Sequence, residues 1–116
     1  MATFTIYHNP RCSKSRATLA LLQEHGIEPR VVEYLKTPPR AAELKKILGC
    51  LDMKPEQLVR KSEEIYKANF ARKTLTDTQW IDAMVTHPIL IERPIVVSDR
   101  KAALGRPPEN VLALLE

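Results

Sequence analysis

The chain has 116 residues, 44% of them hydrophobic and 28% charged, with a formal net charge of +4. This composition suits one small domain with a single core and excludes disordered and fibrous classes. The basic excess is mild and contains no run of about five or six like charges, which argues against nucleic acid as a partner.

Residues 3–7 are rich in β-formers and stop at Asn9-Pro10, predicting a short buried strand. A helix is predicted from about Ser13 to His25, with Gly26 as its stop. Arg30-Val31-Val32-Glu33-Tyr34 reads as a second strand, so the two strands and the helix make a βαβ unit with parallel pairing. Thr37-Pro38-Pro39 opens another helix, with Leu44, Ile47, Leu48 and Leu51 on its apolar face. Pro55 starts a short helical piece ending near Arg60, and Glu63 to Ala71 reads as helix. Thr76-Asp77-Thr78-Gln79 is a capping box ahead of a helix whose apolar face is Trp80, Ile81, Met84 and Val85.

After His87-Pro88 and the run Ile89-Leu90-Ile91, the segment Ile95-Val96-Val97 is predicted to be a strand. Ser98-Asp99-Arg100-Lys101 then turns the chain into an antiparallel partner, Ala102-Ala103-Leu104. Gly105-Arg106-Pro107-Pro108 closes that strand, and a last helix carries Val111, Leu112 and Leu115. The order βαβ, helices, ββα predicts an α/β, thioredoxin-like fold, one domain over residues 1–116 with a helical insert at about 36–87.

Cys12 carries the sharpest chemical signal. It lies between a strand end and a helix start, among His8, Arg11, Lys14 and Arg16. Free amide N–H groups and the positive dipole end of a helix favour an anion there and lower a thiol's pKa. Cys12 therefore reads as a reactive thiol beside an anion site. Ser15 stands where a C-x-x-C disulfide exchanger would have its second cysteine, and Thr18 where a phosphatase-type C-x5-R loop would have its arginine. Cys12 thus works alone or with an external thiol. Two readings stand for Ser15: a hydrogen bond to the thiolate, or a solvated serine at a helix start. Two also stand for His8: a support for the thiolate, or a hydrogen-bonded loop histidine.

Arg93 and Arg106 each directly precede a proline beside a short strand. Such steps are candidates for cis peptides, in loops that either aim both guanidinium groups at Cys12 or lie apart from it. An arginine fork suits a tetrahedral oxyanion. Arg60, at a predicted helix end, fits a dipole-compensating surface residue, and Arg72 and Arg100 read as solvated charges. Two readings stand for Cys50, beside Gly49 and Leu51: a packed, unreactive thiol, or a resolving thiol. His25 and His87 have no ligand spacing to either cysteine, so no metal is expected. Two cysteines are too few for a disulfide framework and fit a reduced, cytoplasmic protein. Met1-Ala2-Thr3-Phe4 lacks the features of a signal peptide, and no apolar run approaches the ~20 residues that cross a bilayer, so no membrane is expected as a partner.

Several separated segments, in one order, resemble the glutaredoxin-coupled arsenate reductase family, which has a thioredoxin-like fold. They are Ile6-Tyr7-His8-Asn9-Pro10, Cys12, Ser15-Arg16, Tyr34-Leu35, Pro38-Pro39 and Leu58-Val59-Arg60-Lys61. His87-Pro88-Ile89-Leu90-Ile91-Glu92-Arg93-Pro94-Ile95-Val96-Val97 and Gly105-Arg106-Pro107 complete the set. The resemblance implies that Cys12 attacks arsenate to form a thiol–arsenate ester, which glutathione then attacks before glutaredoxin resolves the product and arsenite leaves. It implies that Arg60, Arg93 and Arg106 bind the oxyanion and that His8 helps lower the thiol's pKa. Glutathione is then a co-substrate, no cofactor is tightly bound, and a monomer is expected. The well-established reductases of that family commonly follow the cysteine with Gly-Thr-Ser and run past the last helix, whereas this chain has Ser13-Lys14-Ser15 and stops at Glu116, so the resemblance is closest to a shorter branch of the family. Two other readings compete: another glutathione-linked thiol oxidoreductase needing Cys12 but not the arginines, and an Spx-like regulatory module contacting RNA polymerase, against which Ser15 in place of a second cysteine argues.

Overall fold

Phe4–Tyr7 (β1) is the strand on which the sheet is built, and it is paired on both sides. The computed structural model describes residues 3–99 and 101–115. In it Arg30–Val32 (β2) runs parallel to β1, with Thr5 opposite Arg30 and Tyr7 opposite Val32. On the other side Ile95–Ser98 (β3) pairs antiparallel with β1, and Lys101–Leu104 (β4) pairs antiparallel with β3. The sheet order is β2-β1-β3-β4. The mixed sheet and its helices place the chain in the α/β class. Arg100, predicted to be solvated in the β3–β4 turn, lies outside the described residues.

The chain divides into two compact units, one of residues 1–37 and 93–116 and the other of 38–92. The first holds the sheet and Ser13–Glu24 (α1), which ends through Gly26 at φ 77°, a left-handed conformation that glycine adopts without strain. Its core gathers Ile6, Leu22, Val96, Val111 and Leu114, with Phe4, Leu19, Leu21, Ile27 and Ala103 packed against them. Each fully buried aliphatic side chain of this kind contributes about 1.5–3 kcal/mol of transfer free energy. Strand β2 is shorter than predicted. Strand β1 stops at Tyr7, the ladder closes with the His8 N–H donating to Val32 O at 2.8 Å, and the chain turns at Glu33. The last element, Pro108–Leu115, is a 3₁₀ helix. Its three-residue repeat buries Val111 and Leu114, where Leu112 and Leu115 were expected to join Val111.

The second unit is helical: Ala41–Leu51 (α2), Glu64–Asn69 (α3) and Asp77–Thr86 (α4), with 3₁₀ turns at Pro55–Leu58 and Pro88–Leu90. Helix α2 begins two residues after Pro39, with extended Arg40 as its N-cap, so the prolines lie in its lead-in rather than its first turn. It buries Leu44, Ile47 and Leu48. Helix α4 opens on the predicted capping box, in which the Thr76 N–H donates to Gln79 Oε1 and the Gln79 N–H to Thr76 Oγ1. It buries Trp80, Ile81, Ala83 and Met84, and the Trp80 ring lies 6.2 Å from that of Tyr66 and 6.0 Å from that of Phe70. Val59 and Ile91 form an isolated antiparallel bridge, flanked by Arg60 N–H to Leu90 O at 2.7 Å and Glu92 N–H to Leu58 O at 2.9 Å.

Candidate active site

Strand register decides which loops meet. Tyr7 is opposite Ile95, and Ile95 is opposite Leu104. The residues just beyond those three positions, 8–12, 93–94 and 105–106, therefore emerge at one end of the sheet. Both Arg-Pro peptides there, Arg93-Pro94 and Arg106-Pro107, are cis.

Cys12 is the N-cap of α1, extended at φ −95° and ψ 123°, and its sulfur makes no cap hydrogen bond as a thiol. The loop before it is held tightly. The Cys12 N–H donates to Asn9 O at 3.0 Å, and the Arg11 N–H to Asn9 Oδ1 at 3.0 Å. The first-turn N–H groups of Lys14 and Ser15 are thereby left facing the sulfur. Burial, the largest single influence, pushes the half-buried Cys12 thiol up from its ordinary value. The Ser15 N–H, the Arg93 guanidinium as hydrogen-bond donor and charge, and the Lys14 N–H together outweigh it, so the pKa is lowered.

The Ser15 side chain is held by the loop that precedes the cysteine. It is fully buried, with Oγ accepting the Asn9 N–H at 3.0 Å and lying 2.5 Å from His8 Nδ1. His8 is itself buried, and that burial, helped by Arg16 and opposed by Glu33, lowers its pKa below the ordinary 6.5. A neutral imidazole fits the pairing, because the Ser15 hydroxyl has a hydrogen to give and Nδ1 a lone pair to take it. His8 thus touches Ser15, the residue whose backbone N–H faces the sulfur.

Arg106 donates from Nη1 to Arg93 O at 3.4 Å, and its own carbonyl accepts from Asn110 Nδ2 at 3.1 Å, so the two loops are tied to each other. Arg60 lies in the helical unit. Its guanidinium has Nε 3.6 Å from Glu92 Oε1 and Nη2 3.7 Å from Glu63 Oε2, and its side chain is only 14% exposed. Its Nη1 is buried without a hydrogen-bond partner among the described residues. That is no solvated helix-end charge. Cys50, on α2, is a half-buried free thiol.

Sequence reasoning missed Asn9, whose N–H, carbonyl and side chain all brace the cysteine loop. Asparagine before proline reads equally well as a simple strand stop, so only its position ahead of Cys12 hinted at more.

A model of the ArsC family matches residues 7–114. The chain is 45% identical over 117 residues to an arsenate reductase of Neisseria meningitidis, covering 99% of this chain and all of the relative. It is 54% identical over 112 residues to an uncharacterised Escherichia coli protein, YfgD, covering 95% and 94% of the two chains. Among solved structures, an arsenate reductase from Vibrio cholerae superposes with a TM-score of 0.92 at 48% identity over 97% of both chains.

Proposed function

The chain belongs to the ArsC family, and from that premise we propose that it reduces arsenate to arsenite at Cys12. The observation that carries the reading is the Cys12 sulfur at the start of α1, facing two backbone N–H groups and the Arg93 guanidinium. Those groups make the sulfur a thiolate more readily and also supply donors for an incoming oxyanion.

The thiolate attacks arsenic(V), an oxygen leaves as water after protonation, and a thiol–arsenate ester forms on Cys12. Glutathione attacks that ester, and glutaredoxin resolves the mixed species as arsenite departs. Over the cycle, arsenate and two thiols give arsenite, one disulfide and water, so the two electrons gained by arsenic come from the thiols. Arg93 and Arg106 hold the oxyanion and offset the charge that builds on it, each lost charged hydrogen bond being worth about 1.5–3 kcal/mol. Arg60 carries over from the family resemblance alone, as a third arsenate-binding residue. His8 and Ser15 keep the loop in shape so that the Ser15 N–H stays aimed at the sulfur.

The test is arsenate-dependent NADPH consumption coupled through glutathione reductase, with glutathione and glutaredoxin present. Turnover that needs every component and is lost in Cys12→Ser is the expected result. A folded protein with a low-pKa Cys12 and no arsenate turnover would overturn arsenate as the substrate.

A further inference from the structure

Thr18 and Gly105 take no part in the chemistry described above, yet they sit where the cysteine helix meets both arginine loops. Thr18 lies six residues after Cys12 on α1, in the same rigid element, and is fully buried. Its Oγ1 donates to Lys14 O at 2.8 Å and lies 3.4 Å from Gly105 O. Gly105 is buried too, and its N–H donates to Pro94 O at 2.9 Å. A Cβ at Gly105 would stand 2.7 Å from Pro94 Cγ, 3.0 Å from Thr18 Cγ2 and closer still to Thr18 Oγ1. Gly105 does not have the positive φ of Gly26, so space rather than backbone conformation demands glycine here.

The two residues that Thr18 meets in this contact are each one residue from an arginine. Pro94 follows Arg93, and Gly105 precedes Arg106. Any side chain that separates α1 from Gly105 and Pro94 therefore moves the arginine loops away from the helix that carries Cys12. Neither a proline ring nor a β-branched, fully buried threonine can swing aside cheaply.

We infer that Thr18 and Gly105 are positioning residues, a close contact that sets the distance between Cys12 and the Arg93 and Arg106 loops. The inference rests on the reading of Cys12 and Arg93 as parts of one anion site, and it does not require that the anion be arsenate.

The experiment titrates Cys12 by ultraviolet thiolate absorbance in a Cys50→Ser background, so that one thiol reports. Gly105→Ala, Thr18→Val and Thr18→Ser are each made alone and together with Arg93→Ala. With Arg93 present, Gly105→Ala should raise the Cys12 pKa and slow alkylation by iodoacetamide several-fold at neutral pH. Thr18→Val, which keeps the shape but loses the hydroxyl, should shift it the same way by less, and Thr18→Ser should restore the parent value. Without Arg93, none of the three should move the pKa further, because the group they position is gone. An unmoved thiol in the Arg93 protein, or an equal shift with and without Arg93, would reduce the contact to ordinary packing and overturn the inference. Should Gly105→Ala fail to fold, Thr18→Val decides by the same comparison. No arsenate enters the assay, so a failure here is separate from a failure of the reductase reading.

Discussion

Ser15→Ala separates two ways in which a serine three residues after a cysteine can serve it. The structure puts the Ser15 hydroxyl between the buried His8 ring and the Asn9 N–H, while the contact with sulfur comes from the Ser15 backbone. Alanine removes the hydroxyl and keeps the N–H. A buried polar group stripped of its partner costs about 1–3 kcal/mol. His8 Nδ1 is buried and bears that cost in full, whereas Asn9 is half-buried and recovers part of it from water. The expected loss is about 2–4 kcal/mol, a substantial share of the 5–15 kcal/mol typical of a domain. Urea unfolding should show it as a midpoint lower by about 1–2 M at unchanged slope. The Cys12 thiol, titrated in the same variant, should stay below its ordinary 9.0, because Arg93 and the Lys14 N–H still act on it even where the Ser15 N–H is less well aimed. A variant as stable as the parent, with its thiol back in the ordinary range, would refute the reasoning: the hydroxyl itself would then be the sulfur's partner.

Cys12→Ser should abolish arsenate-dependent turnover while Cys50→Ser keeps most of it, as measured in the coupled NADPH assay; the reverse pattern would reassign the nucleophile. Arg93→Ala should lower kcat/KM for arsenate about 10- to 150-fold, the equivalent of one charged hydrogen bond, and should also raise the Cys12 pKa. Unfolding free energies should fall as pH drops below about 6.5, because His8 binds its proton less readily in the folded chain than in the unfolded one. That slope ends once the pH passes below the folded-state value, and His8→Asn should flatten it; an unchanged acid limb in that variant would assign it to other groups. At the alkaline end the sign is again positive. Between the folded pKa of Cys12 and its ordinary 9.0 only the unfolded chain holds the proton, so stability rises with pH there, and Cys12→Ser should remove that increment.

The strands were legible because their composition and punctuation agree. Phe4–Tyr7 is bounded by Asn9-Pro10, and Ile95–Ser98 follows Arg93-Pro94 and turns back through Asp99 at φ 53°. The capping box at Thr76 was legible for the same reason, since both of its hydrogen bonds are local in sequence. The C-terminal segment was not. Over eight residues, periods of 3.0 and 3.6 predict nearly the same apolar positions, and the core chose Val111 and Leu114. Strand β2 was overcalled by two residues because β-propensity continues through Tyr34, whereas pairing stops with the partner strand at Tyr7.

Arg93 shows where local reading ends. Its place before a proline marked it as unusual, but nothing within several residues of position 93 shows that it reaches position 12. That follows from a pairing between strands some ninety residues apart in sequence, with Tyr7 opposite Ile95. Once that register is set, period-two geometry leaves little freedom: the residue two before Ile95 has to emerge where the chain leaves Tyr7 for Cys12. A one-residue slip would exchange the faces of Ile95 and Val96, which point to opposite sides of the sheet and are both almost fully buried, so each would meet the wrong packing. The packing of β3 on both faces thus fixes the register, and the register delivers the guanidinium to the thiol. The apolar residues that hold the sheet together are in that sense part of how the site is addressed, although none of them touches sulfur or substrate.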